Sequence, residues 1–141
     1  MNADRLAATG AGAWRIWLRT VLAAVAATLA VRAAAIMTLD IPAEFQPLAV
    51  AGPTVFLTSV GVVAGLTVAL AIDRWSARPV QLFRRIAIAA LLLSLLPDFW
   101  LLTDVGSEAF PGATVPAVVT LMVQHVAAAA VVILVAGRPR S

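Results

Sequence analysis

The sequence lacks cysteine, lysine and tyrosine, and it has one histidine among 141 residues. Without cysteine the chain has no disulfide, no thiolate ligand for zinc or an iron–sulfur cluster, and no cysteine nucleophile. One histidine is too few for a histidine-rich metal centre. We therefore expect no metal site and no cofactor.

Sequence motifs that indicate catalysis are also missing. The chain has no HExxH segment, no glycine-rich phosphate loop and no GxSxG turn. We predict that the protein is not an enzyme. An enzyme acting on a lipid is the catalytic alternative that the sequence leaves open.

Hydrophobic residues, by contrast, make up 62% of the chain, and charged residues only 12%. A helix needs roughly 20 mostly apolar residues to cross a hydrocarbon core about 30 Å thick. We predict an all-α fold: one integral membrane domain over residues 1–141, an antiparallel four-helix bundle preceded by a flexible tail at 1–13. The predicted spans cover residues 17–39, 54–72, 86–105 and 115–136.

The arginines predict the orientation of this bundle. Nine of the ten lie before the first span or at its start, between the second and third, or after the fourth: Arg5, Arg15, Arg19, Arg74, Arg78, Arg84, Arg85, Arg138 and Arg140. Because basic residues concentrate on the cytoplasmic side, we expect both termini there. The net charge of +3 is thus explained by orientation rather than by nucleic acid. Alanine- and arginine-rich composition favours a bacterial plasma membrane.

A cleaved signal peptide is the competing interpretation of the first apolar stretch. Its core would be residues 21–31, followed by small residues at 33–35. Arg32 argues against it, because a charge between the apolar core and the cleavage site is unusual.

Four polar side chains in the interior of the predicted spans form a candidate cluster: Arg32, Asp98, Gln124 and His125. At 1.5 Å per residue, Arg32 lies about 21 Å and Asp98 about 18 Å from the inner interface, and His125 about 15 Å from the outer one. An isolated charge at mid-helix costs roughly 2.5 to 3.5 kcal/mol, so we expect Arg32 to pair with Asp98. His125 is expected to donate to Asp98, with Gln124 or Thr28 satisfying the remaining donors.

This intramembrane polar cluster has two interpretations. As a structural feature it would hold the first, third and fourth spans in register. As a proton relay it would pass protons between His125 and Asp98 near neutral pH, with Arg32 favouring the charged carboxylate. A relay needs a continuous path, and such residues occur at one depth only.

The second and third spans carry two further signals. In the second, Thr58, Gly61 and Gly65 form a helix-packing face with a small-xxx-small pair, which we expect to pack within the bundle, a homodimer being the alternative. In the third, Pro97 cannot donate to the Leu93 carbonyl. We expect a kink there, partly compensated by Ser94.

Residues of the last two spans carry a resemblance. The segments Leu91-Leu-Leu-Ser-Leu-Leu-Pro97 and Leu121-Met-Val-Gln-His125, after a basic N-terminus, resemble a family of small actinobacterial four-span membrane proteins, a domain of unknown function. The resemblance covers roughly residues 15–136. It implies membrane location and a four-span fold, and it transfers no catalytic residue.

The sequence therefore favours a non-enzymatic structural or accessory component of a membrane assembly. Its expected partners are the lipid bilayer and another membrane protein or a second copy of the chain, without nucleic acid. The alternative is a small proton-coupled transporter or channel built on the Arg/Asp/His cluster.

Overall fold

The protein is described by a computed structural model that covers the backbone of residues 3–136 and the side chains of residues 12 and 14–136. Its helices are α1 (Ala3–Thr38), α2 (Gln46–Ala49), α3 (Ala51–Trp75), α4 (Pro79–Thr103) and α5 (Val115–Ala136). No strand occurs within residues 3–136. Four segments are long and apolar enough to cross a membrane, namely Trp14–Thr38, Ala51–Trp75, Pro79–Thr103 and Val115–Ala136. The all-α prediction is confirmed.

The N-terminal segment differs from its prediction, because α1 already begins at Ala3, inside the expected flexible tail. Five of residues 3–13 are alanine, the strongest helix former. A helix that extends an existing span also avoids the cost of nucleation. The short helix α2 in the first connector was not predicted.

The four long helices form a bundle. Helix α1 packs against α3 and α5, and α4 packs against α5 and less closely against α3. Helices α1 and α4 therefore lie at opposite corners, separated by α3 and α5. Trp17 near the start of the first candidate span and Ala136 at the end of α5 pack on the same hydrophobic cluster. We call this the terminal end of the bundle, and the opposite one the connector end.

Two hydrophobic clusters fill the bundle. The terminal cluster consists of Ala24, Val62, Leu66, Ala69, Ile72, Phe83 and Val132. The connector cluster consists of Phe45, Leu48, Leu101, Ala113, Ala117 and Val118. The second cluster joins α4 and α5 to both outer connectors, so these connectors belong to the folded core.

A glycine lets the two outer connectors approach each other. Gly112 has φ +75°, and a Cβ on it would lie 2.7 Å from the backbone nitrogen of Phe45. Only glycine combines that φ with so close a contact at little cost.

The residues of the predicted packing face of α3 do not all contact another helix. A Cβ on Gly65 would lie 3.2 Å from Val132 Cγ1 of α5, whereas a Cβ on Gly61 would have no atom within 4 Å. Thr58 lies near Thr28 of α1, with 3.3 Å between the hydroxyl oxygens. Gly65 thus permits the close approach of α3 and α5, and Gly61 borders open space.

Replacing Gly65 by valine should lower the free energy of unfolding by about 1–3 kcal/mol, because the new side chain would force Val132 and α5 away. Gly61→Val is the matched control, with the same change in helix propensity and no neighbour to displace. Reversible unfolding in mixed detergent and dodecyl sulfate measures both. Equal losses for the two variants would contradict this difference in packing.

Candidate intramembrane polar site

A layer of polar side chains lies between the two hydrophobic clusters. It contains Thr28 of α1, Thr58 of α3, Asp98 of α4, and Gln124 and His125 of α5. Thr28, Asp98 and Gln124 are buried, and Thr58 and His125 are partly buried. Hydrocarbon offers no hydrogen-bond partners, so these groups depend on one another and on backbone carbonyls.

Thr28 connects three helices within this layer. Its hydroxyl donates to the Val25 carbonyl at 3.1 Å, so its oxygen is free to accept from the hydroxyl of Thr58 at 3.3 Å. Its backbone carbonyl accepts from Gln124 Nε2 at 3.2 Å. The first, second and fourth spans are therefore tied together here.

Asp98 and His125 form the second contact of the layer. Asp98 Oδ2 lies 3.1 Å from His125 Nδ1, and Asp98 is 6% exposed. The same Nδ1 lies 2.9 Å from the Leu121 carbonyl oxygen. Two oxygen acceptors around one ring nitrogen require that this nitrogen carry the proton.

The single Nδ1 proton cannot align well with both acceptors. The carbonyl contact has hydrogen-bond geometry, whereas Asp98 Oδ2 has no aligned donor among the described residues. The 3.1 Å contact is therefore a close polar contact rather than an aligned hydrogen bond. It joins the third span to the fourth.

Arg32 does not take part in this contact, and its predicted pairing with Asp98 is wrong. Its Nε donates to the Leu48 carbonyl and its Nη2 to the Ala49 carbonyl, both at 3.0 Å. Both acceptors lie at the end of α2. The guanidinium thus binds backbone oxygens of the first connector, and α1 and α4 occupy opposite corners of the bundle.

The sequence explains why these two carbonyls need a donor. Helix α2 ends at Ala49 because Val50 is extended, with φ −119° and ψ 149°. The last carbonyls of a helix have no partner within it. Four residues beyond Ala49 stands Pro53, which has no N–H. Arg32 provides the missing donors, and charge-assisted bonds of this kind are among the stronger ones.

Pro97 lies within α4, which continues through it to Thr103. Ser94 does not replace the donor that the Leu93 carbonyl lacks. Its hydroxyl donates to the Leu91 carbonyl instead, at 2.7 Å.

A comparison with known families adds to this geometry. The profile of a family of unknown function, DUF6069, matches residues 8–141. The chain belongs to DUF6069. No curated protein and no solved structure matches it significantly. The expected resemblance to a family of unknown function is thus confirmed, and DUF6069 membership transfers no activity to these residues.

This DUF6069 chain also contains a cavity of about 410 Å³ beside the polar layer. Residues of α3, α4 and α5 line it, among them Gly61, Ser94, Gln124 and His125. Sequence patterns gave no sign of it, since a cavity depends on the distances between helices. No group of three potential metal ligands occurs among the described residues.

Replacing Arg32 by methionine should loosen the first connector, because the Leu48 and Ala49 carbonyls lose their donors. Amide hydrogen exchange at Leu48 and Ala49 should become about tenfold faster, as for a local loss of roughly 1.4 kcal/mol. Asp98→Asn is the control and should leave this exchange unchanged. An equal effect of both substitutions would show that Arg32 and Asp98 act together.

Proposed function

We propose that the protein is a non-enzymatic accessory component of a bacterial plasma membrane, with both termini cytoplasmic, that assembles with another membrane component. The observation that carries this proposal is that the side chains of the polar layer make their contacts inside the bundle. Thr28, Gln124, Asp98 and His125 contact groups on other helices of the same bundle. Such contacts stabilise the packing of helices in membranes. The arginine distribution supports the orientation.

The placement of the polar layer argues in the same direction. Apolar side chains of the terminal cluster lie on one side of it and those of the connector cluster on the other. A proton relay needs successive polar groups along the membrane normal. Arg32, expected to be its third member, binds the Leu48 and Ala49 carbonyls instead.

A defined assembly should be recoverable from native membranes. After cross-linking and purification in mild detergent, we expect one membrane protein, or a second copy of this chain, in a constant ratio. Asp98→Asn and His125→Ala should preserve that ratio wherever the variants fold, because these residues act inside the bundle. Recovery of the cross-linked chain as a monomer without a partner would contradict the proposal.

The Asp98 and His125 contact favours a second candidate, a small proton-coupled transporter or channel. A buried carboxylate 3.1 Å from an imidazole is a pair able to exchange a proton.

Flux measurements in proteoliposomes separate the two functions. Under a pH gradient, we expect no proton flux above that of protein-free vesicles for the wild type. Asp98→Asn and His125→Ala should then change only the stability of the bundle. A wild-type flux that both substitutions abolish would establish the relay and overturn the accessory role. Thr38→Ala, at an exposed position, is the control substitution.

A further inference from the structure

The 410 Å³ cavity has an opening towards the membrane. Its lining residues on α3 and α4 include exposed ones, such as Leu57, Ala64, Ile86 and Ala90. Helix α5, with Gln124, His125 and Val132, contributes most of the remaining wall, and Pro47 of α2 the rest. Since the three helices are candidate spans, the opening between α3 and α4 faces hydrocarbon.

The cavity is polar at one end and apolar at the other. Its polar lining residues all lie in the half towards the connector end: Thr54, Thr58, Ser94, Gln124 and His125. Beyond His125, towards the terminal end, the wall consists of glycine, alanine and larger apolar residues as far as Val132 and Phe83. Along α5 this apolar part extends about 11 Å, from the rise per residue of a helix.

Several hydrogen-bonding groups at the polar end have unused capacity. Gln124 donates its amide to Thr28, and its Oε1 has no donor in the described part of the chain. His125 directs Nδ1 to Leu121 and Asp98, while Nε2 has no partner among residues 14–136. The hydroxyl of Thr54, a residue 7% exposed, is likewise unpartnered. Hydrocarbon offers no hydrogen-bond partner to such groups.

We propose that this cavity binds a single-chain amphiphile, a hydrocarbon chain with one oxygen-bearing end group such as a carboxyl or hydroxyl. The end group lies beside Gln124 and His125, where its O–H donates to His125 Nε2, the ring nitrogen without a proton, or to Gln124 Oε1. The chain extends along the apolar wall past Gly61 and Ala64, and its remainder leaves between α3 and α4 into the bilayer.

The dimensions favour such a ligand over a protein partner. Small-molecule sites typically have volumes of about 300–1,000 Å³, and the cavity lies within that range. A transmembrane helix is roughly 10 Å across with its side chains, so it would cover the opening rather than enter it. This site is independent of the accessory role, because binding needs neither a protein partner nor proton flux.

Photo-labelling of the full chain in phosphatidylcholine nanodiscs tests the proposal. The probe is a fatty acid with a diazirine at the middle of its chain. We expect saturable labelling of the α3 and α5 walls, with competition by unlabelled fatty acid or fatty alcohol and none by the alkane of equal length. Labelling that spreads over all lipid-facing surfaces without saturation would overturn the proposal.

Two variants and a control sharpen this test. Gly61→Leu places a side chain in open space, so the bundle should fold, and saturable labelling should fall about tenfold because the cavity is filled. His125→Phe should remove the preference for the oxygen-bearing chain over the alkane. Ala26→Leu, at an exposed position on α1 outside the cavity, should leave labelling unchanged. Thermal unfolding checks that each variant is folded.

Two outcomes would overturn the site. Unchanged labelling of folded Gly61→Leu would place the probe elsewhere. Cross-links between α3 and α4 of two chains, together with a dimer that Gly61→Leu dissociates, would assign this face to a second copy of the protein instead.

Discussion

The fold depends on one constraint, that a polar group in hydrocarbon must find its partner inside the protein. Arg32 and the end of α2 satisfy this constraint for each other. The guanidinium needs acceptors, and the Leu48 and Ala49 carbonyls need donors because Val50 ends the helix. For the two carbonyls to reach Arg32, the first connector must fold back against α1. This position buries Leu48 in the connector cluster.

The same constraint organises the middle of the bundle through two separate contacts. Gln124 reaches the Thr28 carbonyl on α1, and its neighbour His125 reaches Asp98 on α4. Adjacent residues on a helix point about 100° apart, so α5 can bind helices on two sides. This explains how α5 links α1 and α4, which occupy opposite corners of the bundle.

The sequence was sufficient to predict the four spans and the polar residues within them, because hydropathy and helix length determine both. It was not sufficient to predict the partner of Arg32. The sequence gives the depth of a residue along its span, whereas the partner also depends on the order of the helices around the bundle. Backbone carbonyls also have no side-chain pattern. Pro53, four residues after Ala49, was the available signal of a carbonyl without a donor.

The bundle is tightly packed at Gly65 and loosely packed at Gly61. At Gly65 the missing side chain lets α3 approach Val132, whereas at Gly61 it leaves room that no other helix fills. An empty cavity loses dispersion contacts on every wall. In a bilayer, a hydrocarbon chain restores those contacts without leaving an apolar solvent. An apolar chain with one polar end would also satisfy Gln124 and His125, so the occupied cavity meets both the packing and the hydrogen-bonding requirements of the fold.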